Sequence, residues 1–200
     1  MIAGWQIVRA KAWRGLLLAC LFIFTYSIFY GKLLAQENVD RTGYVIGGSA
    51  GYGLIDVHTA EVSKDSYGSF ALGFRGGYAV NPHAVVGIEL NGWTLKAYDL
   101  EDPSKGESVS NLSLFVNYFP FEEIPLYITG GAGQLSYTNN SPGVNGRDTG
   151  GSWFIGSGYE IPLSKEMMLV SQFRYSQGNF TGGDFEVYEI TVGINWYSGR

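Results

Sequence analysis

The stretch from 185 to 197, FEVYEITVGINWY, decides the fold because its side chains alternate in polarity. From Tyr188 to Trp196 every even position is apolar, and the odd positions up to Asn195 are polar or glycine. Successive side chains of a β-strand point to opposite faces, so one face is apolar and the other is polar. The pattern recurs in most of seven other segments, with polar positions that are mostly small or charged. This distribution predicts a transmembrane barrel with lipid outside and a hydrogen-bonded interior.

Eight segments of this kind follow residue 43, without helical periodicity or heptads. All six prolines lie in or at the edges of the intervals, as expected because proline removes a ladder hydrogen bond. Short intervals alternate with mostly longer, polar ones, which is typical of outer-membrane barrels with short inner turns and longer external loops. The predicted strands are 43–56, 67–80, 84–97, 109–119, 126–138, 150–161, 167–177 and 185–197. The predicted external loops are 56–66, 98–108, 139–149 and 178–184.

The alternation assigns a face to each side chain, except in the fifth strand, where three glycines blur the period. The side chains predicted to face lipid are Tyr44, Ile46, Ala50, Tyr52, Phe70, Leu72, Phe74, Tyr78, Val86, Ile88, Leu90, Leu112, Leu114, Val116, Tyr118, Trp153, Ile155, Tyr159, Ile161, Leu169, Phe173 and Tyr175. Those predicted to face inward are Ser49, Arg75, Glu89, Asn91, Asn111, Asn117, Glu160, Gln172, Arg174, Glu189 and Asn195.

Aromatic residues gather near both ends of the predicted strands. Amphipathic rings favour the headgroup region, so this distribution predicts two girdles. The members on the turn side are Tyr44, Tyr78, Tyr118, Phe119, Tyr127 and Trp196, and those on the loop side are Trp93, Tyr98, Tyr137, Trp153, Tyr175 and Tyr188.

Charged residues on the inward face predict a polar network in the lumen. Arg75 and Glu89 both lie seven residues from Pro82, so a hairpin centred there places them opposite each other. Arg174 and Glu189 are likewise symmetric about the seventh interval. Buried charges need partners, and an eight-stranded interior is roughly filled by side chains, which favours a plug over an ion path. The predicted lumen network is Arg75, Glu89, Glu160, Gln172, Arg174 and Glu189.

The N-terminal residues 1–35 predict a cleaved signal peptide ahead of a single barrel domain, residues 36–200. A basic region precedes an apolar run at 16–30, and Ala35 supplies the small residue before the cleavage point. That run is shorter than the roughly 20 residues of a spanning helix, although an uncleaved anchor reaching Ala35 is an alternative. Acylation at Cys20 is disfavoured because few apolar residues precede it and the run continues beyond it.

Removal of this segment leaves a strongly acidic chain. Four of the 13 Lys and Arg residues lie before Gln36, so nine remain against 18 Asp and Glu, a net charge of −9. This charge argues against nucleic acid as a partner, because such binding depends on phosphate neutralisation by basic residues. The only cysteine, Cys20, leaves with the signal, which suits an oxidising compartment.

The arrangement of strands resembles the eight-stranded outer-membrane barrel proteins of OmpA/OmpX type, the outer membrane protein β-barrel domain group. The resemblance covers residues 36–200 and includes the glycine-rich strand LYITGGAG at 126–133. It implies an assembly signal in the last strand, for which Thr191, Gly193 and Trp196 have the required spacing. Three residues follow the last aromatic residue here, whereas many members end on an aromatic. The implied partners are outer-membrane lipid and the barrel-assembly machinery.

Catalytic and metal-binding chemistry is weakly represented. Some eight-stranded barrels modify lipid A, but His58 is predicted in the first loop and His83 in a turn at the opposite end, so they cannot share a site. Asp56 and Ser66 beside His58 are the remaining catalytic combination. The acidic loop residues Asp99, Glu101 and Asp102 are expected to be solvated rather than to bind calcium.

The sequence therefore predicts an outer-membrane barrel without enzyme activity, metal or cofactor. Its expected role is structural, or adhesive through external loops that bind an extracellular ligand or host surface. The alternatives are a small ion-conducting pore, a soluble lipocalin-like carrier with its apolar face inward, and a lipid A-modifying enzyme.

Overall fold

The computed structural model describes residues 41–59, 65–96, 107–121, 124–141, 144–181 and 183–199 as a closed antiparallel barrel. Each strand pairs with the next, and β1 pairs with β8 to complete the ring. Within these ranges no helix is long and apolar enough to cross a membrane. The strands are β1 (Gly43–Thr59), β2 (Asp65–Asn81), β3 (Ala84–Lys96), β4 (Glu107–Tyr118), β5 (Leu126–Ser141), β6 (Val144–Pro162), β7 (Met167–Phe180) and β8 (Gly183–Tyr197).

Some sequence predictions lie outside the described residues. They are the signal peptide with Cys20, the middle of the predicted loop 56–66, and most of the predicted loop 98–108 with Tyr98, Asp99, Glu101 and Asp102.

All eight predicted strands are confirmed, but two of the predicted external loops are wrong. Residues 139–149 are mostly strand, because β5 continues to Ser141 and β6 begins at Val144. The interval 178–184 likewise shrinks to two residues between β7 and β8. Ladder pairing continues through Asn and Gly positions that have low strand propensity, such as Asn140 opposite Asn145. Pairing with a neighbouring strand therefore outweighs the local turn signals.

The predicted faces are confirmed almost throughout. Side chains predicted to face lipid are exposed on the outside, with Leu114 reaching 68% exposure, and Ile161, Leu169 and Tyr175 are half-buried. Tyr159 lies on the outward face by alternation, yet its side chain is only 3% exposed. The predicted inward polar residues all lie inside. The ambiguous β5 is resolved, with Tyr127, Thr129 and Leu135 inward and Ile128 outward.

The apolar band on the outside is narrower than the strands are long. On β1 it runs from Tyr44 to Tyr52 and on β8 from Tyr188 to Trp196, nine residues in each case. A tilted transmembrane strand needs about 9–11 residues. Because the strands have 12 to 19 residues, their loop-side ends project beyond the band.

The two faces exchange polarity in this projecting part. On β8 Phe185 and Val187 are buried inside, whereas Asp184 and Glu186 lie on the outside. The projecting ends therefore have the apolar-inside arrangement of a soluble barrel.

Four residues predicted in the girdles lie inside the barrel instead. Trp93, Phe119 and Tyr127 are fully buried in the interior, and Tyr137 is half-buried against an internal cluster. These predictions were wrong because they used a residue's height along the strand and not its inward position in the alternation.

The outer girdle nevertheless exists. Trp153 and Tyr175 have ring centroids 5.6 Å apart, and Tyr175 and Tyr188 are 4.9 Å apart on neighbouring strands. Tyr44 and Tyr78 form an edge-to-face pair, with centroids 5.3 Å apart, at the other end.

We expect Leu114→Lys to lower the free energy of unfolding by about 2–4 kcal/mol, because it places a charge in the middle of the apolar band. Denaturant titration of the refolded barrel in lipid vesicles measures this change. Asn179→Lys, on the same face but in the projecting part, is the control and should cost at most about 1 kcal/mol. Equal losses in the two variants would contradict the assigned band.

Candidate functional site

Two arginines and two glutamates meet at the centre of the lumen. Arg174 on β7 donates a hydrogen bond from Nη1 to Glu89 Oε1 on β3, and its Nε lies 2.8 Å from Glu189 Oε1 on β8. The Arg75 Nη2 atom on β2 lies 3.4 Å from Glu89 Oε2. Glu89 pairs in register with Arg75, and Glu189 with Arg174. The four charges cancel, so the group is neutral as a unit.

Neighbouring polar side chains add hydrogen bonds to both carboxylates. Asn91 Nδ2 donates to Glu89 Oε1 over 3.0 Å and its Oδ1 accepts from Arg174 Nη2 over 3.3 Å. The Trp93 indole donates to Glu189 Oε2 over 2.8 Å. A buried carboxylate is tolerated when its charge is paired and its oxygens accept hydrogen bonds. The ion pairs and these hydrogen bonds therefore offset part of the cost of burying the two glutamates.

Gln172 links Arg75 to Tyr127 on β5. Its Oε1 accepts from Arg75 Nη2 over 2.8 Å and from the Tyr127 hydroxyl over 3.0 Å. Arg75 also lies over the ring of Phe115, with 5.4 Å between its Cζ atom and the ring centroid. Arg75 is thus held by Gln172 and by the Phe115 ring as well as by Glu89.

Arg174 stacks on an aromatic ring in the same way. Its Cζ atom lies 4.5 Å from the centroid of the Phe154 ring. A cation over a desolvated ring gains about 2 kcal/mol. We name Arg75, Glu89, Gln172, Arg174 and Glu189 the central cluster.

Glu160, predicted to belong to the same network, lies in a separate cluster near the turn end. Its Oε2 accepts from Arg41 Nε over 2.9 Å, and its Oε1 accepts from Tyr197 over 2.8 Å and Asn195 over 3.1 Å. Arg41 precedes β1 and stacks on Phe119, 4.0 Å from the ring centroid. Nothing in the sequence pattern indicated Arg41, because it precedes the first alternating segment.

Apolar side chains close the lumen on both sides of the central cluster. The turn-side cluster consists of Val45, Ala79, Val85, Phe115, Phe119, Tyr127, Phe154, Met168, Val170 and Tyr197. The loop-side cluster consists of Ile55, Ala71, Trp93, Val109, Leu135, Phe185 and Val187, against which Tyr137 and Phe180 pack. Neither apolar cluster was predicted from the sequence, although Trp93 lies at an odd-numbered, inward position of β3 like Glu89 and Asn91.

The three residues predicted to guide assembly lie on both faces of β8. Thr191 and Gly193 face inward, and a Cβ atom at Gly193 would come within 2.4 Å of the Gly48 carbonyl oxygen. Trp196 faces outward. Its indole nitrogen donates a hydrogen bond of 2.9 Å to Oε2 of Glu166, which lies in the turn between β6 and β7. Gly193 therefore allows β1 and β8 to approach closely, and Trp196 is held in place by its hydrogen bond to Glu166.

The two histidines lie at opposite ends of the barrel. His58 is near the projecting end of β1, where Asp56 pairs with Ser66, and His83 is in the β2–β3 turn. His83 Nδ1 lies 2.8 Å from the Phe119 carbonyl oxygen. Within the described ranges, no three His, Cys, Asp or Glu residues are grouped in a way that could hold a metal ion.

Comparison with known proteins agrees with this architecture. Residues 18–197 match the family described as outer membrane protein beta-barrel domain, and the chain belongs to that family. It is accordingly an integral protein of the outer membrane. No curated protein sequence matches it significantly.

Several solved structures are similar to this chain. Neisserial surface protein A is 13% identical, with a TM-score of 0.55 over 78% of this chain and 97% of that chain. Ail, the attachment invasion locus protein of Yersinia pestis, is 16% identical, with a TM-score of 0.47 over 78% and 99%. OprG of Pseudomonas aeruginosa is 14% identical, with a TM-score of 0.43 over 79% and 98%.

We expect Arg174→Met to destabilise the barrel by about 3–5 kcal/mol, because Glu189 then stays buried beside Trp93 without its arginine partner. Adding Glu189→Gln restores neutrality and should recover part of that loss, on the order of 0.5–3 kcal/mol. The free energies of unfolding of the two single variants and the double variant, measured in lipid vesicles, give the coupling. Strictly additive losses would show that the Arg174–Glu189 pair is not coupled.

Proposed function

We propose that this protein is a sealed, non-conducting barrel that presents its projecting β5–β6 hairpin for binding at the cell surface. The proposal rests on β6 extending further beyond the apolar band than its neighbour β7 does. The last β6–β7 pair is Gly150 with Phe180, whereas β6 begins at Val144. Among the described residues, the β6–β7 ladder runs from Gly150 to Pro162 on β6.

The backbone groups at this edge point away from β5 at alternate residues. The Glu160 amide donates to the Pro125 carbonyl oxygen across the β5–β6 ladder, and the register continues without a shift to Val144. Even-numbered residues of β6 therefore bond to β5, and odd-numbered residues direct their backbone groups to the other side. Asn145, Arg147 and Thr149 occupy this edge, where Thr149 donates its amide to Asp148 Oδ1 over 2.8 Å.

An edge of this kind suits strand addition by an extended segment of a partner protein. Main-chain hydrogen bonds supply affinity, and alternate side chains of the added strand select their contacts. Tyr137 and Phe180, stacked with centroids 5.5 Å apart, lie half-buried on the inner side. They offer an apolar contact to every second residue of the added strand, so the favoured partner segment alternates apolar and polar residues.

The other candidate functions have less support. The soluble carrier is wrong, since the apolar face is outside and the arginines and glutamates are inside. A pore would have to pass two apolar clusters and the neutral central cluster. Catalysis at His58 would need Asp56 and Ser66, and we infer a non-enzymatic role because the second histidine lies at the far end of the barrel.

Export and insertion would use the ends of the sequence. We infer that residues 1–35 are a signal peptide, since an outer-membrane protein must cross the inner membrane. Thr191, Gly193 and Trp196 would be recognised by the assembly machinery, and the seam contact of Gly193 supports that role.

We expect the refolded barrel to show no stable current in planar lipid bilayers, because buried side chains fill the lumen on both sides of the central cluster. Single-channel recording over a wide voltage range measures this, with protein-free detergent as the blank. Large, stable, voltage-tolerant openings would overturn the sealed interior.

Asn145→Pro tests the binding edge. Proline removes an amide donor on the open side of β6 while the β5–β6 ladder bonds remain, so folding should be preserved and strand addition blocked. We expect cells displaying this variant to adhere to an epithelial monolayer several-fold less than cells displaying the wild type, at equal surface amounts.

Asn179→Pro is the matched control, since it places a proline on the outward face of the paired strand β7. It should impair folding, as judged by heat-modifiable migration on a gel, rather than adherence per folded molecule. Unchanged adherence of the folded Asn145→Pro variant would contradict binding through the β6 edge.

A further inference from the structure

One carboxylate inside the barrel binds both sides of the β1–β8 seam at its turn end. Glu160 lies on β6, two strands away from β8, and its side chain is fully buried. Its Oε1 atom accepts hydrogen bonds from Tyr197 over 2.8 Å and from Asn195 over 3.1 Å, both on β8. Its Oε2 atom accepts a hydrogen bond of 2.9 Å from Nε of Arg41, which lies two residues before β1 begins.

Glu160 reaches past its own neighbour β7 to make these contacts. Its register partner on β7 is Val170, and the next inward residue toward the turn is Met168. Both side chains are apolar and buried in the turn-side cluster. An apolar side chain cannot compensate a buried carboxylate, so the contacts with the seam offset the cost of burying Glu160.

The arginine on the β1 side is fixed inside the same mouth of the barrel. Arg41 is 4% exposed, and its Cζ atom lies 4.0 Å from the ring centroid of Phe119, which directly follows β4. Gly43, the first residue of β1, has a φ of 78°, in the left-handed region that favours glycine. The chain therefore changes direction here, so that Arg41 stays in the lumen while β1 continues in the wall.

These side-chain contacts coincide with the end of the backbone ladder. The last β1–β8 pair is Val45 with Tyr197, and Tyr44 and Ser198 add two hydrogen bonds beyond it. The end of a ladder opens with a free energy below that of global unfolding. Tyr197 belongs both to the last pair and to the Glu160 contact, so the side-chain and backbone contacts must open together.

We propose that Arg41, Glu160, Asn195 and Tyr197 form a latch that holds the seam closed at its turn end. Opening the seam removes bonding partners from a buried carboxylate, which makes opening unfavourable. Without the latch, the ends of β1 and β8 separate locally while the other ladders stay paired. A closed seam also keeps both strand edges from pairing with another β-strand. The latch depends only on the closed barrel, and not on strand addition at the β6 edge.

Amide hydrogen exchange of the barrel refolded in lipid vesicles, measured by mass spectrometry of its peptides, reports local opening. The test variants are Arg41→Met and the charge-matched double variant Arg41→Met/Glu160→Gln. The control is Asn111→Ala, which removes a buried acceptor that bonds to Ser113 over 3.0 Å and to Ser152 over 2.9 Å, away from the seam.

We expect amide exchange at residues 44–49 and 192–198 to rise about tenfold or more in both latch variants, relative to the β3–β4 hairpin. Loss of a charge-assisted hydrogen bond has an effect of that size. Asn111→Ala should not raise exchange at the seam selectively. Wild-type exchange in both latch variants, or an equal rise at the seam and in the β3–β4 hairpin, would overturn the latch.

A disulfide across the seam separates strand opening from a general loss of stability. Gly48 and Ile194 are paired in register on the outward face, at a spacing that suits a disulfide. With Cys20→Ser to remove the native thiol, Gly48→Cys/Ile194→Cys should return the Arg41→Met variant to slow seam exchange when oxidised, and not when reduced. Fast seam exchange with the disulfide formed would also overturn the proposal.

Discussion

Pairing of β1 with β8 is the contact on which the rest of the structure depends. Inside a bilayer every backbone amide and carbonyl must bond within the protein, and a sheet with open edges cannot meet that requirement. The seam is well defined, since Val45 to Thr59 pair continuously with Tyr197 to Gly183. Hydrogen bonds from Ser198 to the Tyr44 carbonyl and from Tyr44 to the Ser198 hydroxyl extend it past the last strand.

Closure makes the interior a small space that side chains must fill without bulk water. The barrel meets this demand with charges that cancel in the central cluster and with rings stacked on Arg75 and Arg174. Apolar clusters then separate that group from both mouths. A neutral, hydrogen-bonded centre between apolar ends favours a rigid scaffold, and binding is left to the outer surface and the rim.

The alternation of polarity predicted the strands and their faces because each strand has one face in contact with lipid and the other in contact with the polar lumen. It was not applied to Trp93 and Tyr127, which were assigned to girdles by their height along the strand although both lie inward. It failed where ladder pairing overrode turn residues at 139–149. Hairpin symmetry could place Arg75 opposite Glu89, but the contact of Glu160 with Arg41 joins distant positions that no local pattern connects.

The exchange of polarity between Tyr188 and Glu186 on β8 fixes how deeply the molecule is immersed. If the barrel moved inward by two residues, roughly 7 Å along the strand, carboxylates would enter the hydrocarbon. If it moved outward by the same distance, aromatic and aliphatic side chains would be exposed to water. In a thinner or thicker membrane the surrounding lipids must stretch or compress to match the protein. The sequence thereby determines local bilayer thickness around the barrel, and neighbouring proteins will experience that deformation.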